Sequence, residues 1–149
     1  MNELQAKNVS QKPVVLLIHG LIDSSDSWLV NGRENSIGFI LADAGYDVWM
    51  ANTRGNKYSE RHTTLDPNKD SLYWENALTY DVANYDIPSF IEYIKNISGV
   101  KNMTVIGHSQ GSQQMFYNFI KNNTYFKKNV NLLVALGPVF KITDTAWIN

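Results

Sequence analysis

Short unbroken apolar runs alternate along this chain with stretches whose apolar residues recur every three or four positions. Val14–Ile18 is wholly apolar, rich in β-branched residues, and ends at His19-Gly20. Such a run predicts a strand buried on both faces, as in a parallel sheet. A polar loop follows, carrying Asp23, Ser24, Ser25, Asp26 and Ser27. Ile37, Ile40, Leu41 and Ala44 then fall at i, i+3, i+4 and i+7, which predicts an amphipathic helix stopped by Gly45. Tyr46–Ala51 reads as a second strand. A long irregular stretch from Asn52 to about Leu72 contains Gly55 and Pro67. Val82, Ile87, Phe90, Ile91, Ile94 and Ile97 mark a long second helix, and Pro88 within it implies a kink or a nearby start. After Gly99, Met103–Ile106 reads as a third strand. Gln110 to Lys121 reads as a third helix with Met115, Phe116, Phe119 and Ile120 on one side. Leu132–Leu136 is a fourth strand, closed by Gly137-Pro138.

Strand and helix alternate throughout, which favours an α/β fold with a mostly parallel sheet flanked by helices. Residues 1–12 read as a flexible lead-in, and 13–149 as one domain. Apolar residues make up 44% of the chain and charged residues 18%, the profile of a globular protein. The net charge of −1, with scattered Lys and Arg, argues against nucleic acid as a partner. Cysteine is absent, which excludes disulfides and thiolate metal sites. The longest apolar stretches are too short to span a bilayer. The polar N-terminus has no signal-peptide pattern. Asn-X-Ser/Thr triplets begin at Asn8, Asn96, Asn102 and Asn122, and they matter only on a secretory route.

Gly107-His108-Ser109-Gln110-Gly111 lies between the third strand and the third helix. It fits G-x-S-x-G, a nucleophile elbow. There the serine sits on a strained strand-to-helix turn that lifts its hydroxyl clear of the sheet. The positions two before and two after approach neighbouring backbone too closely for a Cβ, hence Gly107 and Gly111. Five residues of this pattern recur by chance in many proteins. The apolar strand before it and the amphipathic helix after it make the match specific. His19-Gly20-Leu21 ends the first strand, where this architecture places one oxyanion-hole amide. The expected donors are the backbone N–H groups of Leu21 and Gln110, with His19, Gly20 and His108 in support. The plainer reading of His19-Gly20 is a strand exit with His19 hydrogen-bonded to the loop.

A serine needs a base, normally a histidine oriented by a carboxylate, and this fold orders them Ser, acid, His along the chain. No histidine follows Ser109, and Asp144 is the only acidic residue after it. His62, in the polar loop, would be a base in an unprecedented chain order. Asp144, with no base to orient, reads as a surface residue. Four parallel strands with two open edges also want further neighbours. The sequence is therefore expected to be a truncated piece or an incomplete gene product of a partial α/β-hydrolase fold.

Further segments carry a family resemblance. Pro13-Val14-Val15 through His19-Gly20-Leu21, the stretch from Asn35-Ser36 through Phe39 to Trp49, Asn52-Thr53-Arg54-Gly55-Asn56, Tyr73-Trp74, Tyr85-Asp86-Ile87-Pro88 and the elbow together resemble the acid lipases. That group contains gastric lipase and lysosomal acid lipase, and the similarity runs from about Lys12 to Val139. It implies a metal-free and cofactor-free hydrolase of neutral lipid esters, triacylglycerols or cholesteryl esters, met at a lipid–water interface. It implies Ser109 as nucleophile, with Leu21 and Gln110 as oxyanion donors. The family's strands upstream of Val14, its lid and its downstream Asp and His have no counterpart here. Family members are usually secreted or lysosomal, whereas this chain shows no signal peptide, so the compartment stays open.

The chain alone is expected to be nearly inactive, as removal of a triad member usually dictates. A non-catalytic binding module is the competing class, favoured by the absent histidine and disfavoured by the intact elbow. An acyltransferase on the same fold differs only in its acceptor. Asp43 and Asp47 flank Gly45 and read as caps of that turn. Arg54 either pairs with a buried carboxylate or faces solvent. Trp28, Trp49 and Trp74 read as core or loop anchors rather than acyl-pocket walls.

Overall fold

The computed structural model describes residues 11–75 and 80–139. Its centre is a parallel sheet of β1 (Val14–Ile18), β2 (Asp47–Met50), β3 (Met103–His108) and β4 (Val130–Leu136), in the order β2-β1-β3-β4. Leu16 pairs with Trp49 on one side and Val105 on the other, and Val105 pairs with Leu133. All five residues of β1 are buried, which is what its unbroken apolar run predicts. Side chains alternate across the sheet. Leu16, Ile18, Met103 and Val105 pack with Ile87, Ile91, Ile94, Met115 and Phe126 on one face. Val15 and Leu17 pack with Trp28, Leu41 and Met50 on the other.

From β1 the chain moves to β2 on one side, then returns to β3 on the other. The strand order therefore reverses between β1 and β3. Loops leaving the C-terminal ends of these strands diverge there and leave a crevice, the usual ligand position in open α/β sheets. His19-Gly20-Leu21 and the elbow are the two loops at that point.

The helices depart from the expected pattern in instructive ways. α1 (Ile37–Asp43) leaves Ile37 and Ile40 largely exposed. It packs through Gly38 and Leu41 instead: a Cβ on Gly38 would meet the Leu29 side chain at 2.8 Å and the Trp28 carbonyl at 3.0 Å. Asp43 does not cap the turn at Gly45 but pairs with Arg33 at 2.6 Å, and Asp47 opens β2. A short helix, α2 (Ser71–Glu75), closes the long loop. The expected second helix is two pieces, a wide π-helical turn over Val82–Asp86 and then α3 (Ile87–Ser98) with Pro88 in its first turn. Pro88 has no N–H and its ring crowds the preceding turn, so the chain widens before a regular helix begins. Ile97 is 59% exposed, outside the buried stripe of Ile87, Ile91 and Ile94. Gly99 ends α3 at φ 71°, its N–H on the Lys95 carbonyl.

α4 (Gln110–Lys121) also differs. Its buried face is Gly111, Ser112, Gln114, Met115 and Asn118, while Ile120 is 85% exposed. A further helix, α5 (Asn123–Asn129), stands where the sequence shows no strong period, and β4 follows it directly at Val130. Asn122 caps α5 by accepting the Tyr125 N–H at 3.4 Å. Phe126, 2% exposed, carries α5 into the core against Phe119.

One ion pair ties the loop after β2 to the wide turn. Arg54 donates to Asp86 Oδ1 through Nε at 2.9 Å and Nη2 at 2.7 Å, and its backbone N–H donates to Oδ2 at 2.9 Å. The Asp86 side chain is only 12% exposed, so Arg54 meets a carboxylate withdrawn from water. That bond holds the Arg54 guanidinium above its ordinary pKa. Of the tryptophans, Trp28 is buried and Trp49 meets the Tyr93 ring edge-on.

Phe126→Ala is expected to lower stability by about 3–5 kcal/mol through the cavity it leaves, read as a shifted urea midpoint by circular dichroism. Arg54→Met is expected to cost about 1.5–3 kcal/mol, because Asp86 then keeps its charge with the backbone N–H bond but without the guanidinium. An unchanged midpoint would deny the pair its role.

Candidate active site

The elbow takes its shape from what surrounds it. Ser109 has φ 50° and ψ −113°, a region that costs a non-glycine residue about 1–3 kcal/mol. The surrounding contacts impose it. The Ser109 N–H donates to the Leu136 carbonyl on β4, and the Ser109 carbonyl accepts the N–H groups of Ser112 and Gln113 in α4. A Cβ on Gly107 would stand 2.8 Å from the Gly111 carbonyl carbon and the Ser112 nitrogen. One on Gly111 would stand 2.6 Å from the Ile18 carbonyl oxygen. The buried Ser112 hydroxyl donates back to the Gly107 carbonyl at 2.5 Å. Gln110 is the first residue of α4, where backbone N–H groups point out of the helix toward the site.

The loop after β1 lies directly against this turn. A Cβ on Gly20 would stand 3.3 Å from Ser109 Cβ and 3.1 Å from His108 Nδ1. His19 is buried, with Nδ1 2.7 Å from the Gly20 carbonyl oxygen and Nε2 3.2 Å from the Thr53 backbone nitrogen. His108 is exposed. A cleft of about 440 Å³ opens here, lined in part by His19, Leu21, Ile22, Thr53, Trp74 and Gln110. Trp74, read from sequence as an anchor, donates its indole N–H to the Pro67 carbonyl and is also a wall of this cleft. Ile22 holds φ 54° with its side chain 98% exposed, so it and the half-exposed Leu21 form an apolar lip.

Two asparagines that the sequence did not single out connect the loops. Asn52 Oδ1 accepts the Ser25 N–H at 3.0 Å, and Asn52 Nδ2 donates to Ser25 Oγ at 3.1 Å. Asn56 bonds to Asn52 and stands beside His19. Asp26 binds Lys57 and the Tyr58 hydroxyl, and these bonds hold its carboxyl below the usual carboxylate range. Only the N-x-R-G-N spacing hinted at any of this.

The described residues do not bring a base to Ser109. Among the described residues, no imidazole or carboxylate is hydrogen-bonded to its hydroxyl. His62 instead caps its own loop, with Nδ1 accepting the N–H groups of Thr64 and Leu65 at 3.1 and 2.9 Å. It lines a separate cavity of about 330 Å³ with Arg54, Arg61 and Tyr73, which neither Leu21 nor Gln110 lines. Asp144 lies outside the described residues, as do residues 1–10 of the lead-in. Among the described residues, no three His, Cys, Asp or Glu side chains are grouped to hold a metal ion. No described helix is long and apolar enough to cross a membrane.

Known proteins share both the sequence and the fold. The human lysosomal acid lipase/cholesteryl ester hydrolase is 44% identical over 132 residues, 88% of this chain and 32% of that protein. The gastric triacylglycerol lipase of Bos taurus is 40% identical over 141 residues, 94% of this chain and 34% of that protein. The chain thus spans about a third of the length of these curated relatives. In fold it is similar to an epoxide hydrolase of Vigna radiata, with TM-score 0.61, 19% identity, and coverage of 92% of this chain and 36% of that one. It is similar also to a mature lipase of Bacillus licheniformis, with TM-score 0.54, 19% identity, and coverage of 87% and 42%. Residues 13–149 match the family model described as the alpha/beta hydrolase fold, and with the sheet and helices above this places the chain in that family, among relatives of the acid lipase group.

Proposed function

We propose that this chain carries the nucleophile and the oxyanion hole of a serine lipase acting on neutral lipid esters. The observation that carries the reading is the strained Ser109 set beside the Gly20-Leu21 loop at the reversal of strand order. In the proposed reaction the Ser109 hydroxyl adds to the ester carbonyl while its proton passes to a base. The carbonyl oxygen, now negative, is met by the N–H groups of Leu21 and Gln110. Collapse expels the alcohol with a proton returned by the base and leaves an acyl-enzyme, which water then hydrolyses. The exposed Leu21 and Ile22 suit an apolar ester approaching from a lipid–water interface. The relatives named as lipases support neutral lipid as the substrate class.

The base is the one role in this reaction that no described residue fills. The sequence holds no histidine beyond His108, and the acid lipase relatives are about three times longer. A second reading is a binding module that keeps the elbow without turnover; the observation on its side is that, among the described residues, no imidazole is hydrogen-bonded to the Ser109 hydroxyl.

A fluorophosphonate probe distinguishes the readings. Slow labelling of the folded chain at Ser109, located by mass spectrometry and abolished in Ser109→Ala, is expected. Equal labelling of Ser109→Ala would remove the assignment, and a folded chain that never labels would favour the binding module. Ester turnover by the chain alone is expected to lie about 10⁴-fold or more below that of a complete triad enzyme, measured with a short-chain chromogenic ester. Turnover at ordinary lipase rates would mean that a base is present after all.

A further inference from the structure

Asn56 makes contacts that the reaction above leaves unused. Its Oδ1 accepts the Tyr58 backbone N–H at 2.9 Å. A backbone N–H can only donate, so this bond fixes which end of the Asn56 amide faces which neighbour. The Nδ2 end then donates to Asn52 Oδ1 at 2.8 Å and stands 3.2 Å from His19 Nε2. The Thr53 backbone N–H points at the same nitrogen from 3.2 Å, and the Thr53 hydroxyl, which can donate as well as accept, stands 3.3 Å from it. A ring nitrogen facing two such donors must offer a lone pair. The hydrogen of the neutral ring is therefore on Nδ1, which lies 2.7 Å from the Gly20 carbonyl oxygen.

The Gly20 carbonyl and the Leu21 N–H belong to one planar trans peptide and point in opposite directions. A hydrogen bond that draws the carbonyl toward His19 thereby sets the direction of the Leu21 N–H. With hydrogen on Nε2 instead, a lone pair on Nδ1 would face the carbonyl lone pairs, and the peptide would turn away.

We propose that Asn56 is a positioning residue of the oxyanion hole. Together with the Thr53 N–H it holds His19 in the tautomer that pins the Gly20 carbonyl, and so fixes the direction of the Leu21 N–H. The proposal rests on the reading of Leu21 as an oxyanion donor.

The test uses the full ¹⁵N-labelled chain. Histidine ¹⁵N shifts are expected to show His19 protonated at Nδ1 and bare at Nε2. Hydrogen found on Nε2 would overturn the proposal without any variant. The N–H residual dipolar coupling of Leu21 in an aligned medium then reads the direction of that bond. Asn56→Leu is expected to change this coupling while the couplings of β1 and β3 stay constant. Adding His19→Asn should restore it, because an amide nitrogen can stand where Nδ1 stood and has no tautomer to set. A Leu21 coupling unchanged in Asn56→Leu, or one that the second substitution fails to restore, would leave Asn56 a loop brace only and end the proposal. Fluorophosphonate labelling of Ser109 in Asn56→Leu is expected to slow about tenfold, less than the factor of about 10²–10³ for losing an oxyanion donor outright. If the native chain does not label at all, the nucleophile reading fails, while the tautomer and the coupling still decide the role of Asn56.

Discussion

The carbonyl oxygen of Ile18 lies 2.6 Å from where the Cβ of any residue but glycine at position 111 would stand, too close for the two to coexist. This approach of α4 to the end of β1 sets much of the molecule. It requires glycine at 111, and the answering approach of Gly107 to the first turn of α4 requires glycine there as well. Between these two positions the chain must pass from strand to helix within one residue, and Ser109 is left with φ 50°. The same approach holds the ends of β1 and β3 level, so that Gly20 meets Ser109 across the point where strand order reverses. The helix is drawn close enough that its buried face must be small or self-satisfying, hence Ser112 bonded to the Gly107 carbonyl in place of a larger apolar side chain.

That tightness separates what the sequence states from what it conceals. β1 is legible because a strand buried on both faces must be apolar at every position. The elbow is legible because its glycines answer a steric demand that no other residue meets. The helix faces are less so. In α4 the period of Met115, Phe116, Phe119 and Ile120 points to a face that the structure turns partly to solvent, since Gly111 fixes the rotation of the helix. In α1 the close contact is again made through a glycine, which leaves Ile37 and Ile40 outside. α5 has no apolar period to read, because its two deeply buried residues are one phenylalanine, Phe126, and one asparagine, Asn129. Its only local signals are the Asn122 cap and Lys127 and Lys128 in the last turn.

The polar network beneath the loop after β1 is illegible for a different reason. His19 meets Thr53 and Asn56 across 34 and 37 positions of sequence, and Ser25 meets Asn52 across 27. No periodicity encodes such pairs. Motif spacing retains only their footprint, the N-x-R-G-N run whose members bind three different neighbours: Asn52 the serine loop, Arg54 the buried carboxylate of Asp86, and Asn56 the histidine. The sequence left Arg54 with two readings, and the low exposure of Asp86 decides between them.

In the proposed reaction these bonds act through their timing. An oxyanion donor lowers a barrier only to the extent that it already points correctly before charge develops, since any reorientation afterwards is charged against the gain. A loop held by its own backbone alone would sample many directions. Here the loop after β1 is gripped from below by residues 52–58, and that segment is fastened in turn to the wide turn ahead of α3 through Arg54 and Asp86. The wide turn exists because Pro88 cannot complete a regular one. A proline more than thirty residues along the chain from Arg54 thus helps to place the carboxylate that steadies the segment beneath the loop after β1. Positional order at the site is inherited from the fold, and it stands ready whatever group supplies the proton transfer.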